Sequence, residues 1–281
     1  MTRTLTMKTL LLCLIALVAA QAQAQGWMKK YSPDMQMGPT SLYTTADGNF
    51  ITTGWNLNGP SQRIMKIGAD GNPIWQQQHD STYSISFSNI AQDGGFAILT
   101  YNEQANERML LRIDANGQKL WLKSIQPIAG SSNYGNADID TTDDGGFIVV
   151  HSAYDSAEAL SKLYIKRIDA AGEILWSNTY FDTDTNKYTQ SILNSKDGGF
   201  VCIVVKGSGV NITYSLIKID GNGNMLWEHV FPFQNYVIPT IARDGNILLS
   251  RGQVANSGAN GVIKLDQDGN ELWSYTYPTL P

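Results

Sequence analysis

Short apolar runs recur along this chain, each opened by an Asp-Gly turn and each followed about thirty residues later by a second Gly turn leading into a Trp. The first turn stands at Asp47-Gly48, Asp93-Gly94, Asp144-Gly145, Asp197-Gly198 and Asp244-Gly245. The second leads into Trp75, Trp121, Trp176, Trp227 and Trp273. Residues 137–180 show the unit. Ala137 to Thr142 alternates loosely, Asp144-Gly145-Gly146 turns the chain, and Phe147-Ile-Val-Val150 follows as a β-branched run. The polar stretch from Ser152 to Ser161 reads as a loop. Leu163 to Ile168 alternates again, Asp169-Ala-Ala-Gly172 turns, and Ile174-Leu175-Trp176 opens a last strand ending near Tyr180. Period-two alternation bounded by Gly and Asp predicts strands, and the tight turns predict antiparallel hairpins. Each unit is expected to be a four-stranded meander.

The turns carry their own chemistry. Asp at the head of the second turn can accept backbone N–H groups two residues on, while Gly takes the left-handed position. Gly68 replaces that Asp in the first unit, so that turn is expected to be the loosest. Successive Trp residues are 46, 55, 51 and 46 apart, which marks one supersecondary unit used repeatedly. A packed Trp buries about 150–250 Å², worth about 4–6 kcal/mol of transfer free energy at about 25 cal/mol per Å². Sheets stacked face to face around an axis bury all five in equivalent places. That arrangement is an all-β β-propeller of five four-stranded antiparallel blades, and a straight solenoid is the competing solution.

The unit DGGF–strand–loop–Leu-Ile-Lys-Ile-Asp-x-x-Gly-Asn-x-Leu-Trp resembles the repeats of secreted bacterial β-propeller proteins, over about residues 27 to 277. The turn-to-Trp segment is also similar to the tryptophan-docking motif of quinoprotein-type propellers, which carry one more residue between Asp and Gly. Quinone-holding members use eight blades and many have a vicinal Cys pair. Five units and Cys202 do not fit them, so no cofactor is expected.

The first 25 residues read as a signal peptide: Arg3 and Lys8, an apolar run from Leu10 to Ala20, and the small-x-small pattern Ala22-Gln23-Ala24. The run is too short to span a bilayer, so no membrane insertion is expected. Leu12 before Cys13 argues against a lipoprotein. A single domain over 26–281 and a secreted location (periplasm, cell surface or extracellular) follow as expectations. The formal charge of −5 falls to −7 without Arg3 and Lys8, and no basic stripe invites nucleic acid. Cys202, inside an apolar run, reads as a buried thiol that makes no internal disulfide. Trp27-Met-Lys-Lys-Tyr31 matches the last strand of the unit, giving six copies of that strand against five of the others. Either Trp27 lies on the last blade as an extra outer strand or the N-terminal strand packs elsewhere; the expectation is five blades plus that strand, with the two termini adjacent, and a monomer.

The loop after the second strand and the link between units open on one face, where propellers bind ligands. Its Asn-rich aromatic segments make Trp55, Tyr101, Tyr154, Tyr188 and Tyr236 the candidate ligand residues, with Asn133-Tyr134 nearby. Flat rings beside amides suit carbohydrate or protein surfaces. Against this stands simple packing of loop bases. Asp182-Thr-Asp184-Thr-Asn186 alternates oxygen ligands but lacks the Gly and Glu of an EF-hand, so no metal is expected. His79, His151 and His229 fall in separate units, and His151 reads as a strand-end residue. Asp244-Gly-Asn246 suggests a bulb-type lectin only weakly, because Ala242 and Ser250 occupy that family's sugar positions. The expected function is non-catalytic binding or scaffolding with a protein or glycan ligand. The alternative is a glycosidase or lyase whose channel carboxylates would come from Asp80, Asp138, Asp140 and Asp184.

Overall fold

A computed structural model of the chain describes residues 37–56, 62–79, 83–102, 104–105, 107–125, 136–181, 186–208, 211–231, 237–252 and 260–277. These form five four-stranded antiparallel sheets, each a meander in chain order. The first is β1 (Met37–Thr44), β2 (Phe50–Asn56), β3 (Gln62–Ile67) and β4 (Pro73–His79); the second is β5 (Tyr83–Ile90), β6 (Phe96–Asn102), β7 (Glu107–Ile113) and β8 (Lys119–Ser124). The third is β9 (Ala137–Thr141), β10 (Phe147–Asp155), β11 (Leu160–Ile168) and β12 (Ile174–Tyr180). The fourth is β13 (Lys187–Asn194), β14 (Phe200–Ser208), β15 (Asn211–Ile219) and β16 (Met225–Phe231); the fifth is β17 (Val237–Ile241), β18 (Ile247–Arg251), β19 (Gly261–Leu265) and β20 (Glu271–Thr276). The polar stretch after Val150 is mostly strand: Ser152, Ala153 and Tyr154 pair with Leu163, Lys162 and Ser161, leaving a turn of only 156–159. Backbone pairing overrides the polarity of the sequence there.

Both turns of every sheet close in the same way. Thr142 N donates to Gly146 O at 3.0 Å and Gly145 N to Thr142 O at 2.9 Å, and Asp169 N and Gly172 N repeat the pair with Glu173 O and Asp169 O. In each turn the Gly alone takes positive φ, as in a type I turn followed by a Gly bulge. The Gly68 turn is no looser than its siblings: Gly68 N reaches Asn72 O at 2.7 Å and Gly71 N reaches Gly68 O at 2.8 Å. Asp70, two places later, takes over the capping by accepting from Asn72 N at 2.9 Å.

The middle strands explain the apolar runs. Phe147 and Val149 of β10 pack on Ala97, Leu99 and Leu110 of the second sheet, while Ile148 and Val150 pack on Phe200, Cys202 and Ile217 of the fourth. A strand covered on both faces is apolar at every position. Two further cores join the first sheet to the second, through Ile51, Ile64 and Phe96, and the fourth to the fifth, through Ile203, Leu216, Ile247 and Leu249. Contacts between sheets run in chain order along β1, β5, β9, β13 and β17, which makes these the inner strands, and among the described residues no contact of similar extent joins the fifth sheet to the first. Cys202 is fully buried and its thiol is pushed up to about 12 by burial.

Candidate functional site

The tryptophans sit on the outer strands and reach forward to the next sheet. The indole N–H of Trp75 donates to Ala115 O at 3.2 Å, of Trp121 to Ala170 O at 3.3 Å, of Trp176 to Gly221 O at 3.0 Å, and of Trp227 to Gln267 O at 3.0 Å. Each ring lies on the Gly that closes that turn. A methyl group built on Gly117, Gly172, Gly223 or Gly269 would stand 3.1 to 3.3 Å from ring carbons of Trp75, Trp121, Trp176 and Trp227 respectively. Four of the five repeated tryptophans are thus used equivalently. Trp273 departs from the expectation: among the described residues it has no turn ahead of it to dock on, and it remains 47% exposed.

A second repeated contact was missed by the sequence reading. The basic residue two positions before each second turn pairs with the Asp of the first turn in the same sheet. Lys66 meets Asp47 at 2.9 Å, Lys218 meets Asp197 at 2.8 Å and Lys264 meets Asp244 at 2.5 Å, and Arg112–Asp93 and Arg167–Asp144 complete the set. The ammonium and guanidinium groups are largely buried, so the pair ties one hairpin of the sheet to the other where the cation cannot reach bulk water. Hydrogen bonds from Thr45 and then Lys66 hold Asp47 well below the usual carboxylate range. Partial burial raises Asp144, but bonds from Thr142 and Arg167 outweigh it and keep it at about 2. The signal was present as a Lys or Arg two residues before the turn in all five units.

Grooves lie beside these turns. One of about 440 Å³ between the third and fourth sheets is lined by Thr142, Asp144, Arg167, Gly198 and Gly221. Another of about 280 Å³ between the first and second is lined by Thr45, Asp47, Lys66, Gly94 and Ala115, which are the equivalent positions two joints earlier. A concavity that recurs with the repeat is a product of stacking. Between the fourth and fifth sheets Gln267 fills it, accepting from Lys218 Nζ at 2.6 Å and from Ser195 Oγ at 2.7 Å.

The opposite end carries the loops between second and third strands and the links between sheets. Tyr154, late in β10, is exposed, and Tyr188 on β13 is half-buried. Tyr101 is buried, opposite Arg108 in register. By alternation along their strands, Tyr101 and Tyr154 belong to the faces directed at the third and fourth sheets respectively. They occupy different joints and the structure does not bring them together. Trp55, next to last in β2, pairs with Gly38 and Gln62, but its side chain lies outside the described residues. Tyr236, Asn133-Tyr134 and Asp182–Thr185 lie outside them too.

Of the candidate carboxylates, Asp80 and Asp184 are not among the described residues. Asp138 and Asp140, on inner strand β9, are committed to the next sheet. Asp138 accepts from Ile192 N and its own neighbour Ile139 N, both at 2.9 Å. Asp140 accepts from Asn194 N at 2.7 Å and Asn89 Nδ2 at 2.7 Å, so it links three consecutive sheets. Burial pushes Asp138 up to about 7, against the pull of those two amides, and burial also raises Asp140. The first two sheets use hydroxyls in the same place: Ser41 Oγ lies 2.6 Å from Thr53 Oγ1 and 3.4 Å from Ser88 Oγ, and Tyr43 donates to Ser88 O.

His151 is not a strand-end residue. It lies within β10, fully buried and stacked on Tyr164 with ring centroids 5.4 Å apart. Burial, then the charges of Arg108 and Lys166, hold its pKa well below the ordinary value, so the ring is neutral. A group so enclosed cannot exchange protons with an external substrate. His229 is exposed on β16, so these two histidines do not converge. Among the described residues, no cluster of three His, Cys, Asp or Glu could hold a metal ion, and no helix is long and apolar enough to cross a membrane.

No protein-family model matches the chain, and no curated protein matches it. Solved structures do. A protein of unknown function from Dyadobacter fermentans aligns with TM-score 0.58 at 13% identity, over 89% of this chain and 85% of that one. One of unknown function from Bacteroides caccae aligns with TM-score 0.53 at 13% identity over the same shares. The β-propeller domain of the trilobed protease from Pyrococcus furiosus, described as having an open velcro topology, aligns with TM-score 0.53 at 12% identity over 88% of this chain and 72% of that one. At such identities the likeness is one of fold, and the fold is of the β-propeller kind.

Proposed function

We propose that the chain is an exported, non-catalytic propeller of five blades whose loop end recognises a protein or a glycan. The observation that carries this reading is the contrast between the two ends of the sheets. The turn end is saturated by its own bonds and repeats itself from joint to joint. The loops at the other end differ in length and residue from sheet to sheet, and there Tyr154 is exposed and Tyr188 half-buried. Variable aromatic loops on a rigid scaffold suit recognition. Export is supported by Arg3, Lys8 and the apolar run before Ala22.

The glycosidase or lyase reading loses its best placed residues. Paired carboxylates for glycoside hydrolysis must face the scissile bond with free oxygens. Asp138 and Asp140 instead spend theirs on backbone and Asn donors of adjoining sheets. A glycan array and a panel of immobilised surface proteins, probed with the purified protein and with Trp55→Ala and Tyr154→Ala, test the proposal. Binding lost in these variants and kept in Asp220→Ala at the turn end is the expected result. Turnover of a polysaccharide that disappears in Asp138→Asn would overturn it.

A further inference from the structure

The joint between the second and third sheets breaks the repeat in one consistent sense. Aligned by register, the third strands carry Met65, Leu111, Lys166, Ile217 and Ile263 at one place, so Lys166 puts a charge where the other sheets are apolar. Where the third sheet has His151, the second and fourth have Thr100 and Val204. Arg108 in turn stands where the first and third sheets have Gln62 and Leu163. These three substitutions meet. His151 follows Phe147 and Val149 on the face packed against the second sheet, and Lys166 shares that face with Ile168. Arg108 shares the facing side of β7 with Leu110. The charges of Arg108 and Lys166 both act on His151.

All three are shut away from solvent, with His151 0%, Lys166 2% and Arg108 3% exposed. Neither ring nitrogen of His151 has a hydrogen-bond partner. Stacking on Tyr164 covers the face of the ring and leaves both nitrogens at its edge. Among the described residues Lys166 has no carboxylate partner, and burial lowers its pKa. Asp138 on the adjoining inner strand is in register with Val150 and turns to the fourth sheet instead. Residues 126–135, which link the two sheets, include no Asp or Glu. Buried cations are normally paired, and buried imidazole nitrogens are normally bonded. Positive charge and unmet N–H donors gathered in an apolar joint call for a negatively charged acceptor.

We propose that this joint encloses a small anion, inorganic or a short carboxylate, held by Arg108, Lys166 and His151. The two cations supply its counter-charge, and the neutral imidazole donates one N–H to it. The site is separate from the recognition surface at the loop end, and its occupant makes the cohesion of the second and third sheets depend on the anion present.

Thermal unfolding of the purified protein tests this, in sodium phosphate, sulfate, acetate or chloride at fixed pH and ionic strength, with a bulky organic sulfonate as the balancing salt. At least one of the four anions should raise the midpoint by about 3–6 °C at ten times its dissociation constant. Lys166→Met, which installs the residue of the first sheet, and Arg108→Gln, which does the same for Gln62, should each weaken that anion at least about tenfold. Lys119→Gln removes an exposed cation of β8 and should keep the full shift. A wild type unmoved by all four anions, or an equal shift in Lys166→Met, would overturn the proposal. So would a shift that appears only in Glu103→Gln, since that carboxylate would then be the counter-charge.

Discussion

At the scale of single residues, the fold turns on an indole seated against a glycine. Gly223 has φ of +84° and faces Trp176, so a side chain there meets both backbone strain and a ring at 3.1 Å. Gly223→Ala should cost about 1–3 kcal/mol in urea denaturation, the usual penalty for a non-Gly residue held in that region. Trp176→Ala should cost about 3–5 kcal/mol, as large-to-small changes of docked aromatics do. Trp273→Ala should cost far less, because nearly half of that residue is already in water. Equal losses at the two positions would contradict the docking account.

Asp138 gives the second residue-scale test. Its folded pKa of about 7 lies above the ordinary value of 3.8. Between those values the unfolded chain ionises the group while the folded chain keeps it protonated. Folding stability must therefore fall as pH rises from about 4 to about 7, by an amount on the order of a few kcal/mol. Asp144 and its sibling turn carboxylates act in the opposite sense, with lowered folded values, and withdraw stability as pH falls below 3.8. Chemical denaturation at pH 5 and pH 7.5 should show the wild type more stable at the lower pH, with Asp138→Asn removing most of that difference. A flat profile in the wild type would refute the assignment.

At the scale of the element, each sheet is closed by a buried cation clasping the Asp of its first turn. Lys218 shows the clearest case, being fully buried against Asp197. Asp197→Ala leaves that ammonium with only Ser195 and Gln267, and a loss of about 1.5–3 kcal/mol is expected, typical of a bond to a charged group. Lys218→Met together with Asp197→Asn should recover much of it, since an apolar side chain fills the same space without a charge to solvate. A double variant as weak as Asp197→Ala would argue against the clasp.

Strand number, order and turn positions were legible in the Asp-Gly and Gly-Trp spacing, because those turns are closed by local bonds. The end of the stack was not legible. Phe147-Ile-Val-Val150 is buried at every position, whereas burial alternates along Ile247-Leu-Leu-Ser-Arg251 although its first three residues are all apolar. Position in the stack shows in burial and not in the order of residue types. The burial of Tyr101 and His151 was not readable, since it depends on which sheet stands opposite. The inter-sheet duty of Asp138 and Asp140 was hidden for the same reason: a carboxylate in an inner strand looks alike whether it faces a channel or a neighbouring amide.

At the scale of the whole molecule, the structure is a series of like joints with a conserved design at one end and individual loops at the other. Each joint combines an apolar core, an indole on a turn and a polar link between inner strands. Recognition at the loop end and docking at the turn end use separate surfaces, so Tyr154→Ala should leave the urea midpoint unchanged and Asp220→Ala should leave ligand binding unchanged. Loss of both properties in either variant would show that the surfaces are not independent.

The central claim is that neighbouring sheets are joined through indoles bonded to the turn ahead. Hydrogen exchange of the indole N–H groups, followed by nuclear magnetic resonance with each ring assigned by its Trp→Phe variant, reads this directly. The N–H groups of Trp75, Trp121, Trp176 and Trp227 should all exchange slowly, each bonded to a backbone carbonyl. Rapid exchange at these four positions would contradict it.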